Sequence, residues 1–229
     1  MIGVSKLYCG AVEAGDVLRY RDRRAQDLPS HLLQFSADKK PVVVWNVTKQ
    51  CNLKCLHCYA KATAGAAPDE LGHVEGLALL RDLKNFGVPV VLFSGGEPLM
   101  RPDLPELVEW TVTHGMRAVI STNGTLITRE MAQKLRDLGL SYVGISLDGT
   151  PATHDKFRGQ AGAFTAAMNG VRNCQEMGLK VGLRFTVSRL NYQEVPALFD
   201  LVEEYRAAFH LHGCARSRVN PLKHKGCPL

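Results

Sequence analysis

The chain has 229 residues, of which 45% are hydrophobic and 22% are charged, a composition typical of globular domains and unlike that of disordered segments. No apolar run approaches the roughly 18 residues that span a bilayer, and the first residues lack the apolar core of a secretion signal, so we expect a cytoplasmic protein. The net charge of +6 comes from basic residues that are mostly scattered rather than clustered with aromatic residues, which argues against nucleic-acid binding and leaves attraction of an anionic substrate open.

The first 40 residues are irregular and polar, and we interpret them as an N-terminal extension that packs on the main body. The first predicted strand is Val42–Val47, an apolar run of the kind that a parallel sheet buries on both faces. Predicted helices and strands then alternate along the chain. The helices cover 69–86, 102–114, 128–138, 163–177 and 193–205, and the further strands cover 88–93, 116–121, 142–147 and 180–187.

Local signals mark the ends of several predicted helices. Gly87 and Gly178 follow apolar patterns of helical spacing and act as stop signals. Thr128 is a predicted N-cap, with Glu130 in the first turn of its helix. Five successive strand–helix units predict a parallel sheet, either an open doubly wound sheet or a full or partial barrel. In both architectures ligands bind at the carboxyl ends of the strands.

The loop after the first strand contains three cysteines at short spacing, Cys51, Cys55 and Cys58. Three thiolates on one loop can hold three irons of a [4Fe–4S] cluster, and the fourth iron then has no ligand from this loop. A structural metal site normally closes its coordination shell, so the incomplete set favours catalysis. Zinc is less well matched because no second Cys-x-x-Cys pair follows at the usual spacing, and His57 is too close to Cys58 to complete the same tetrahedron easily.

Polar motifs follow the next three strands as well, at what is predicted to be the same rim of the sheet. They are Ser94-Gly-Gly-Glu-Pro98, Thr122-Asn-Gly124 and Ser146-Leu-Asp-Gly149. Gly95 and Gly96 allow close approach of the backbone to a ligand, and Glu97 is a candidate partner for an ammonium group or a ribose hydroxyl. A turn is the alternative interpretation of each motif.

Four further polar residues, Asn123, Ser146, Asp148 and Arg184, are candidates for cofactor binding. Ser146 and Asp148 are candidates for contact with a ribose, and a turn at Asp148-Gly149 is the structural alternative. For Asn123 the alternative is a turn at Asn123-Gly124. Arg184 lies inside the fifth predicted strand, where a buried guanidinium is costly unless an anion pairs with it.

The cysteine loop and Ser94-Gly-Gly-Glu-Pro98, in this order, resemble the radical S-adenosylmethionine enzymes over about residues 41–206. The resemblance implies an α/β fold, a partial (β/α)6 TIM-like barrel, with a [4Fe–4S] cluster at its mouth and S-adenosylmethionine chelating the open iron. It implies that Gly95, Gly96 and Glu97 bind the methionyl amine, that Ser146 lies on the ribose side and that His57 lies near the adenine. It also implies that the reduced cluster cleaves the cofactor to a 5′-deoxyadenosyl radical, which abstracts a hydrogen from the substrate.

The segments Ile2–Tyr8 and Leu32–Asn46 are similar to the members of this family that trim side chains of sirohaem-derived tetrapyrroles in haem and haem d1 biosynthesis. This similarity implies a carboxylate-rich substrate, in agreement with the positive net charge. The family also implies a low-potential electron donor such as ferredoxin or flavodoxin. Candidate partners for the substrate carboxylates, each with solvated surface as the alternative, are Lys6, Arg19, Arg21, Lys39 and Lys40.

Residues 207–229 depart from the expected pattern, since the strand–helix alternation stops where a sixth strand is due. We expect a barrel cut short near strand six and a truncated or frame-shifted chain, whose activity is then in question. Two alternatives to a tetrapyrrole enzyme stay open at this point. One is a radical enzyme that modifies a peptide, and the other is a non-catalytic metal- or nucleic-acid-binding domain.

Overall fold

The computed structural model describes residues 40–205 and 207–213 of the chain. The N-terminal extension up to Lys39 and the tail from residue 214 lie outside the described residues. The same is true of the proposed carboxylate partners Lys6, Arg19, Arg21 and Lys39. Lys40 is described, and its Nζ atom lies 4.3 Å from the ring centroid of Phe86.

Six strands form one parallel sheet, and they are ordered in the sheet as they are in the chain. The strands are β1 (Val43–Thr48), β2 (Val90–Gly95), β3 (Arg117–Thr122), β4 (Tyr142–Ser146), β5 (Val181–Val187) and β6 (Ala208–Gly213). Each strand pairs with the next one along the chain, so β1 and β6 are the edges of this sheet. The carboxyl ends of all six strands consequently lie at one rim.

Helices connect the strands and cover one face of the sheet. They are α1 (His73–Phe86), α2 (Leu104–Thr113), α3 (Arg129–Asp137), α4 (Pro151–Arg158), α5 (Ala163–Glu176) and α6 (Val195–Tyr205). Short 3₁₀ turns at Pro98–Met100 and Tyr192–Glu194 complete the connections. Two of the expected helix boundaries are confirmed, since Gly87 ends α1 in the left-handed conformation and Thr128 Oγ1 accepts a hydrogen bond from Met131 N at the start of α3.

The core lies between the helices and the convex face of the sheet. Alternate residues of neighbouring strands, such as Phe93, Ile120 and Ile145, are fully buried there. Each such side chain contributes about 2 kcal/mol through removal of apolar surface from water. The opposite face is concave and partly open to solvent. This partial (β/α)6 barrel confirms the expected fold class.

Several details differ from the sequence-based expectations, and one is that α1 begins at His73 rather than at residue 69. β6 is present and pairs with β5 from Gly182↔Ala208 to Val187↔Gly213, so the first residues of the predicted tail belong to the barrel. β1 is not buried on both faces, because Val44 lies on the open concave face and is 56% exposed. The helix α4 was not expected at all. No helix in the described part of the chain is long and apolar enough to cross a membrane.

Candidate active site at the carboxyl ends of the strands

The three cysteines lie on a closed loop that leaves the carboxyl end of β1. Cys51, Cys55 and Cys58 are free thiols, and each is partly exposed. Two backbone hydrogen bonds close the base of the loop, from Cys51 N to Thr63 O at 2.8 Å and from Thr63 N to Lys49 O at 2.9 Å. The loop therefore presents three sulfurs from one short, braced segment.

The environment of these sulfurs fits an iron–sulfur cluster. Leu53 N lies 3.4 Å from Cys51 Sγ, and Ala62 N lies 3.3 Å from Cys58 Sγ, so backbone amides donate to two of the three sulfurs. Among the described residues, no three His, Cys, Asp or Glu side chains converge as ligands of a single ion. A cubane has a different requirement, because each thiolate binds its own iron.

The end of α4 docks directly on the cysteine loop. Lys54 N donates to Arg158 O at 3.2 Å, and Leu56 N donates to Phe157 O at 2.8 Å. Gly159 ends the helix with φ of +67°, and a Cβ atom at this position would lie 2.7 Å from Lys54 O. Because only glycine permits this approach, the backbone after α4 fixes the middle of the cysteine loop.

Charged side chains are buried between α4 and the cysteine loop. The Arg158 guanidinium lies 2.7 Å from Asp148 Oδ2 through Nη2, and Nη1 donates to Cys55 Sγ at 3.6 Å. His57 Nε2 lies 3.5 Å from the same Asp148 oxygen. His154 Nδ1 accepts a hydrogen bond from Asp148 N at 3.1 Å. Arg158 therefore joins the sulfur of a proposed cluster ligand to a buried carboxylate.

Burial and charge act in opposite directions on the pKa values of these groups. Burial raises the pKa of the Cys55 thiol, and the Arg158 guanidinium opposes this rise. Burial also raises the pKa of Cys51 and lowers that of His57. In Arg158 burial acts to lower the pKa, but the Asp148 carboxylate and Cys55 more than compensate, so its pKa is raised and the guanidinium stays charged.

Gly95 and Gly96 lie against the backbone that leads from β1 into the cysteine loop. Gly95 has a φ of +134°, and a Cβ atom there would lie 2.3 Å from Thr48 O. At Gly96 a Cβ atom would lie 2.3 Å from Gln50 O. Gly96 N donates to Thr48 O at 2.7 Å. The two glycines are therefore required for contact between two loops of the rim, in addition to any contact with a ligand.

Glu97 is fully buried, and its carboxylate binds other groups of the rim. Oε1 accepts hydrogen bonds from Thr122 Oγ1 at 2.7 Å and from Leu99 N at 3.1 Å, and Oε2 accepts one from Asn123 N at 2.8 Å. Burial raises the pKa of Glu97, and these hydrogen bonds oppose the rise. The carboxylate that was expected to meet the cofactor joins the loops after β2 and β3 in the structure.

Asn123 connects the rim to the cysteine loop. Its Nδ2 atom donates to Asn52 Oδ1 at 2.9 Å and lies 4.0 Å from Cys51 Sγ. Its Oδ1 atom accepts hydrogen bonds from the amide and the hydroxyl of Thr125, at 2.9 Å and 2.7 Å. Asn52 Nδ2 in turn donates to Thr125 Oγ1 at 2.9 Å. This network holds the loop after β3 against the first cysteine.

The concave face carries polar groups next to the rim. Tyr59, from the cysteine loop, places its hydroxyl 3.3 Å from Asn46 Oδ1 and 3.4 Å from Ser94 Oγ. Ser146 ends β4 and is partly buried, opposite Arg184 in the β4–β5 register. Since Tyr59 directly follows Cys58, the hydroxyl and amide groups around it are available to a polar cofactor at the cysteine loop.

Arg184 reaches away from the rim. Its side chain lies over Gly144, where a Cβ atom would be 2.3 Å from Nε. It lines a cleft of about 760 Å³ near the amino ends of β2 to β4, together with Arg117, Lys180 and Tyr142. Burial lowers the pKa of Arg184, and no carboxylate of the described residues forms an ion pair with it. Arg184 is thus the register partner of Ser146, but its guanidinium lies over Gly144 and lines the cleft towards the amino ends of the strands.

Most of the predicted site residues come together at one rim. Asn123 contacts both Cys51 and Glu97. His57 contacts Asp148 directly, and Cys55 is connected to Asp148 through Arg158. Sequence reasoning missed Arg158, His154 and the role of Asn52, and it identified Thr122 only as the first residue of a rim motif. The helix stop at Gly159 was a usable signal for the end of α4, but nothing in the sequence places Arg158 against Cys55.

The comparisons with known proteins agree with this geometry. The sequence model of the Radical SAM superfamily matches residues 45–202. The chain is 65% identical over 204 residues to Fe-coproporphyrin III synthase of Methanosarcina barkeri (strain Fusaro / DSM 804), covering 89% of this chain and 51% of that protein. It is 44% identical over 165 residues to pre-heme d1 synthase of Dinoroseobacter shibae (strain DSM 16493 / NCIMB 14021 / DFL 12), covering 72% of this chain and 41% of that protein.

The chain thus spans about half the length of the curated relatives it matches. A solved structure, native anSMEcpe with bound AdoMet, superposes with a TM-score of 0.65 and 20% sequence identity. The superposition covers 76% of this chain and 51% of that chain. At this level of identity the likeness establishes the fold alone.

Proposed function

Because the chain belongs to the radical S-adenosylmethionine superfamily, we propose that it is the catalytic core of an enzyme that abstracts a hydrogen from a carboxylate side chain of a sirohaem-derived tetrapyrrole. One observation carries the catalytic part of this proposal. Three free thiols on one braced loop lie beside polar groups at the mouth of a partial barrel. The loop supplies three ligands, which suits a [4Fe–4S] cluster with one iron open to S-adenosylmethionine.

The residues of the chain would hold and shield the two cofactors. Cys51, Cys55 and Cys58 would bind three irons, and the backbone of the Gly95-Gly96 loop and the Ser146 hydroxyl would bind S-adenosylmethionine beside them. When bound, the reduced cluster and S-adenosylmethionine supply a 5′-deoxyadenosyl radical, and this chemistry belongs to the cofactors. The contribution of the protein is orientation and exclusion of water at the mouth of the barrel.

The proposal of a tetrapyrrole substrate is supported by the relatives and by the charge on the concave face. The two relatives described above are named for iron-coproporphyrin III and pre-haem d1, which favours a tetrapyrrole over a peptide. Arg184 is a partly buried cation in a cleft whose other charged lining residues are Arg117, Arg136 and Lys180. Arg136 is already paired with Asp137 at 2.7 Å, but Arg184 has no carboxylate partner among the described residues. We therefore assign Arg184 to a substrate carboxylate.

The proposed reaction also requires a source of electrons and a reducing compartment. We propose that a low-potential donor of the ferredoxin or flavodoxin class reduces the cluster. We also place the protein in the cytoplasm, where thiols stay reduced and a cluster can be assembled. The basic surface, with a net charge of +6, would attract an acidic donor as well as an anionic substrate.

The decisive experiment is anaerobic reconstitution with iron and sulfide, followed by EPR of the dithionite-reduced protein with and without S-adenosylmethionine. We expect a [4Fe–4S]⁺ signal that changes when the cofactor is added. Cys55→Ala should abolish the signal, whereas Cys174→Ala should keep it, because Cys174 is buried in α5. An EPR signal that does not change when S-adenosylmethionine is added, or one that is still present in Cys55→Ala, would contradict the proposal.

A further inference from the structure

We propose that Arg158 is a positioning residue that raises the reduction potential of the cluster by donating to the Cys55 sulfur, and that Asp148 holds the guanidinium in place. This inference rests on the proposed function, since it requires a cluster on the cysteine loop. Two distances carry it: Arg158 Nη1 lies 3.6 Å from Cys55 Sγ, and Nη2 lies 2.7 Å from Asp148 Oδ2.

The guanidinium has little freedom to leave this position. The Arg158 side chain is 9% exposed and that of Asp148 is 1% exposed. The backbone of Arg158 accepts a hydrogen bond from Lys54 N at 3.2 Å, so the residue is tied to the cysteine loop at both its main chain and its side chain. Asp148 is held as well, because its carbonyl oxygen accepts a hydrogen bond from Asn191 Nδ2 at 3.0 Å.

The order of the charges determines the direction of the effect. Reduction adds one negative charge to the cluster, and a cation with an N–H group directed at a ligand sulfur stabilises that charge. Arg158 stands between the sulfur and Asp148, so the cation is the nearer of the two charges. The carboxylate acts from farther away, and its own effect on the cluster is to oppose reduction. Burial strengthens both effects because water screens them only weakly.

This arrangement predicts shifts of opposite sign for two neighbouring residues. Arg158→Gln removes the cation and leaves Asp148, so we expect the cluster to become harder to reduce, with the equilibrium constant for reduction falling about tenfold, or roughly 59 mV for one electron. Asp148→Asn removes the carboxylate and leaves the cation, so we expect easier reduction. Arg158→Lys keeps the charge and should shift the potential less than Arg158→Gln. A merely structural role would not produce this pattern of signs.

The measurement is an EPR-monitored redox titration of the reconstituted proteins, first without and then with S-adenosylmethionine, with iron and sulfide content determined for each. Arg172→Gln is the matched control, because Arg172 is exposed and bonds to Asn169 and Tyr205 on the outer surface. If Arg158→Gln is isolated without a cluster, the other two variants still test the inference. The reduction potential should then be lower in Arg158→Lys and higher in Asp148→Asn than in the unchanged protein.

Three results would overturn the inference. The first is an unchanged potential in Arg158→Gln at full iron content, and the second is a shift of the same sign in Arg158→Gln and Asp148→Asn. The third is a shift that occurs only when S-adenosylmethionine is present, which would assign Arg158 to the cofactor rather than to Cys55. A cluster that is absent from the unchanged protein would instead contradict the proposed function, so the two failures are distinguishable.

Discussion

Two glycines with positive φ, Gly95 and Gly178, have very different surroundings. A Cβ atom at Gly95 would lie 2.3 Å from Thr48 O, whereas nothing lies within 4 Å of a Cβ atom at Gly178. We expect Gly178→Ala to cost about 1 kcal/mol of unfolding free energy, from the backbone conformation alone. Gly95→Ala should cost about 3 kcal/mol, because the cysteine loop must also move. Urea unfolding measures the loss of unfolding free energy in each variant. Equal losses would show that the rim loops can move to accommodate the Cβ atom at Gly95 without strain.

His154 makes the stability of the fold depend on pH. It is fully buried, and burial together with the nearby Arg158 cation lowers its pKa from 6.5 to about 4. Its Nδ1 atom accepts the hydrogen bond from Asp148 N, and protonation would remove that acceptor. A depressed histidine pKa stabilises the fold above the unfolded pKa, and this stability is lost as the pH falls towards the folded pKa. We expect a loss of about 2 kcal/mol between pH 7.5 and pH 5.

A pair of asparagine variants isolates this contribution. His154→Asn keeps a hydrogen-bond acceptor but does not titrate, so the decrease in unfolding free energy at pH 5 should become smaller by about the same 2 kcal/mol. His114→Asn is the control, because His114 is exposed at the end of α2. Unfolding in urea at both pH values measures the slopes. A slope that is the same in His154→Asn and in the unchanged protein would contradict this account.

At the residue scale, the sequence predicts the types of group at the rim better than their partners. Glu97 was expected to bind the cofactor, and its position on the rim is as expected. Its three hydrogen bonds go to Leu99, Thr122 and Asn123, however, and the last two come from a different loop. These contacts depend on the register of β2 against β3, which the local sequence around Glu97 does not contain.

At the scale of elements, the start of α3 offers a direct test of helix capping. Thr128 Oγ1 accepts a hydrogen bond from Met131 N at 3.1 Å, satisfying one of the amides that have no partner within the helix. We expect Thr128→Ala to cost about 1 kcal/mol and Thr128→Ser to cost much less. Thr113→Ala serves as the control, because Thr113 bonds only within and next to its own helix and is exposed. The unfolding free energies are measured by thermal or urea unfolding. Equal losses in Thr128→Ala and Thr113→Ala would contradict the role of the cap.

The elements that sequence analysis missed are short or depend on distant contacts. α4 has eight residues with a proline at its start and Gly159 after its end, but no apolar stripe, and its buried members include His154 and Arg158. It is stabilised by docking on the cysteine loop. Arg158 and Cys55, which are in contact there, are about a hundred residues apart in the sequence. In β6 apolar and polar residues do alternate, since His210 separates Phe209 from Leu211. The segment is short and is followed by irregular residues, so the pattern alone did not predict a strand.

At the scale of the whole molecule, the two proposed binding regions lie at different depths of the barrel. The sulfurs and the polar groups lie at the carboxyl ends of the strands, and the basic cleft lined by Arg184 lies towards the amino ends. A large planar substrate with several carboxylates can span such a distance, so that one side chain lies at the rim while another meets a cation. The cost of burying a guanidinium predicts from the sequence that Arg184 needs an anion, but the local sequence does not contain the packing that directs its side chain to this cleft.

Variants at Arg184 therefore test recognition of the substrate independently of the cluster. We expect Arg184→Gln to bind coproporphyrin III, a tetracarboxylate, about tenfold more weakly than the unchanged protein, which is about 1.4 kcal/mol. Arg184→Lys should retain part of the affinity, because a point charge replaces a planar fork that binds a carboxylate through two hydrogen bonds. Arg129→Gln is the control, since Arg129 pairs with Glu176 at 3.6 Å on the exposed helical surface.

Equilibrium dialysis of the full chain, with the porphyrin measured by its absorbance, gives the affinities at low and high salt. An ion pair in a partly open cleft predicts weaker binding at high salt for the unchanged protein and a smaller salt effect for Arg184→Gln. Equal affinities of Arg184→Gln, Arg129→Gln and the unchanged protein would remove Arg184 from substrate recognition, even if the cluster forms and responds to S-adenosylmethionine. The substrate carboxylates would then have to meet other cations of this basic chain, and the cleft would have no role in binding.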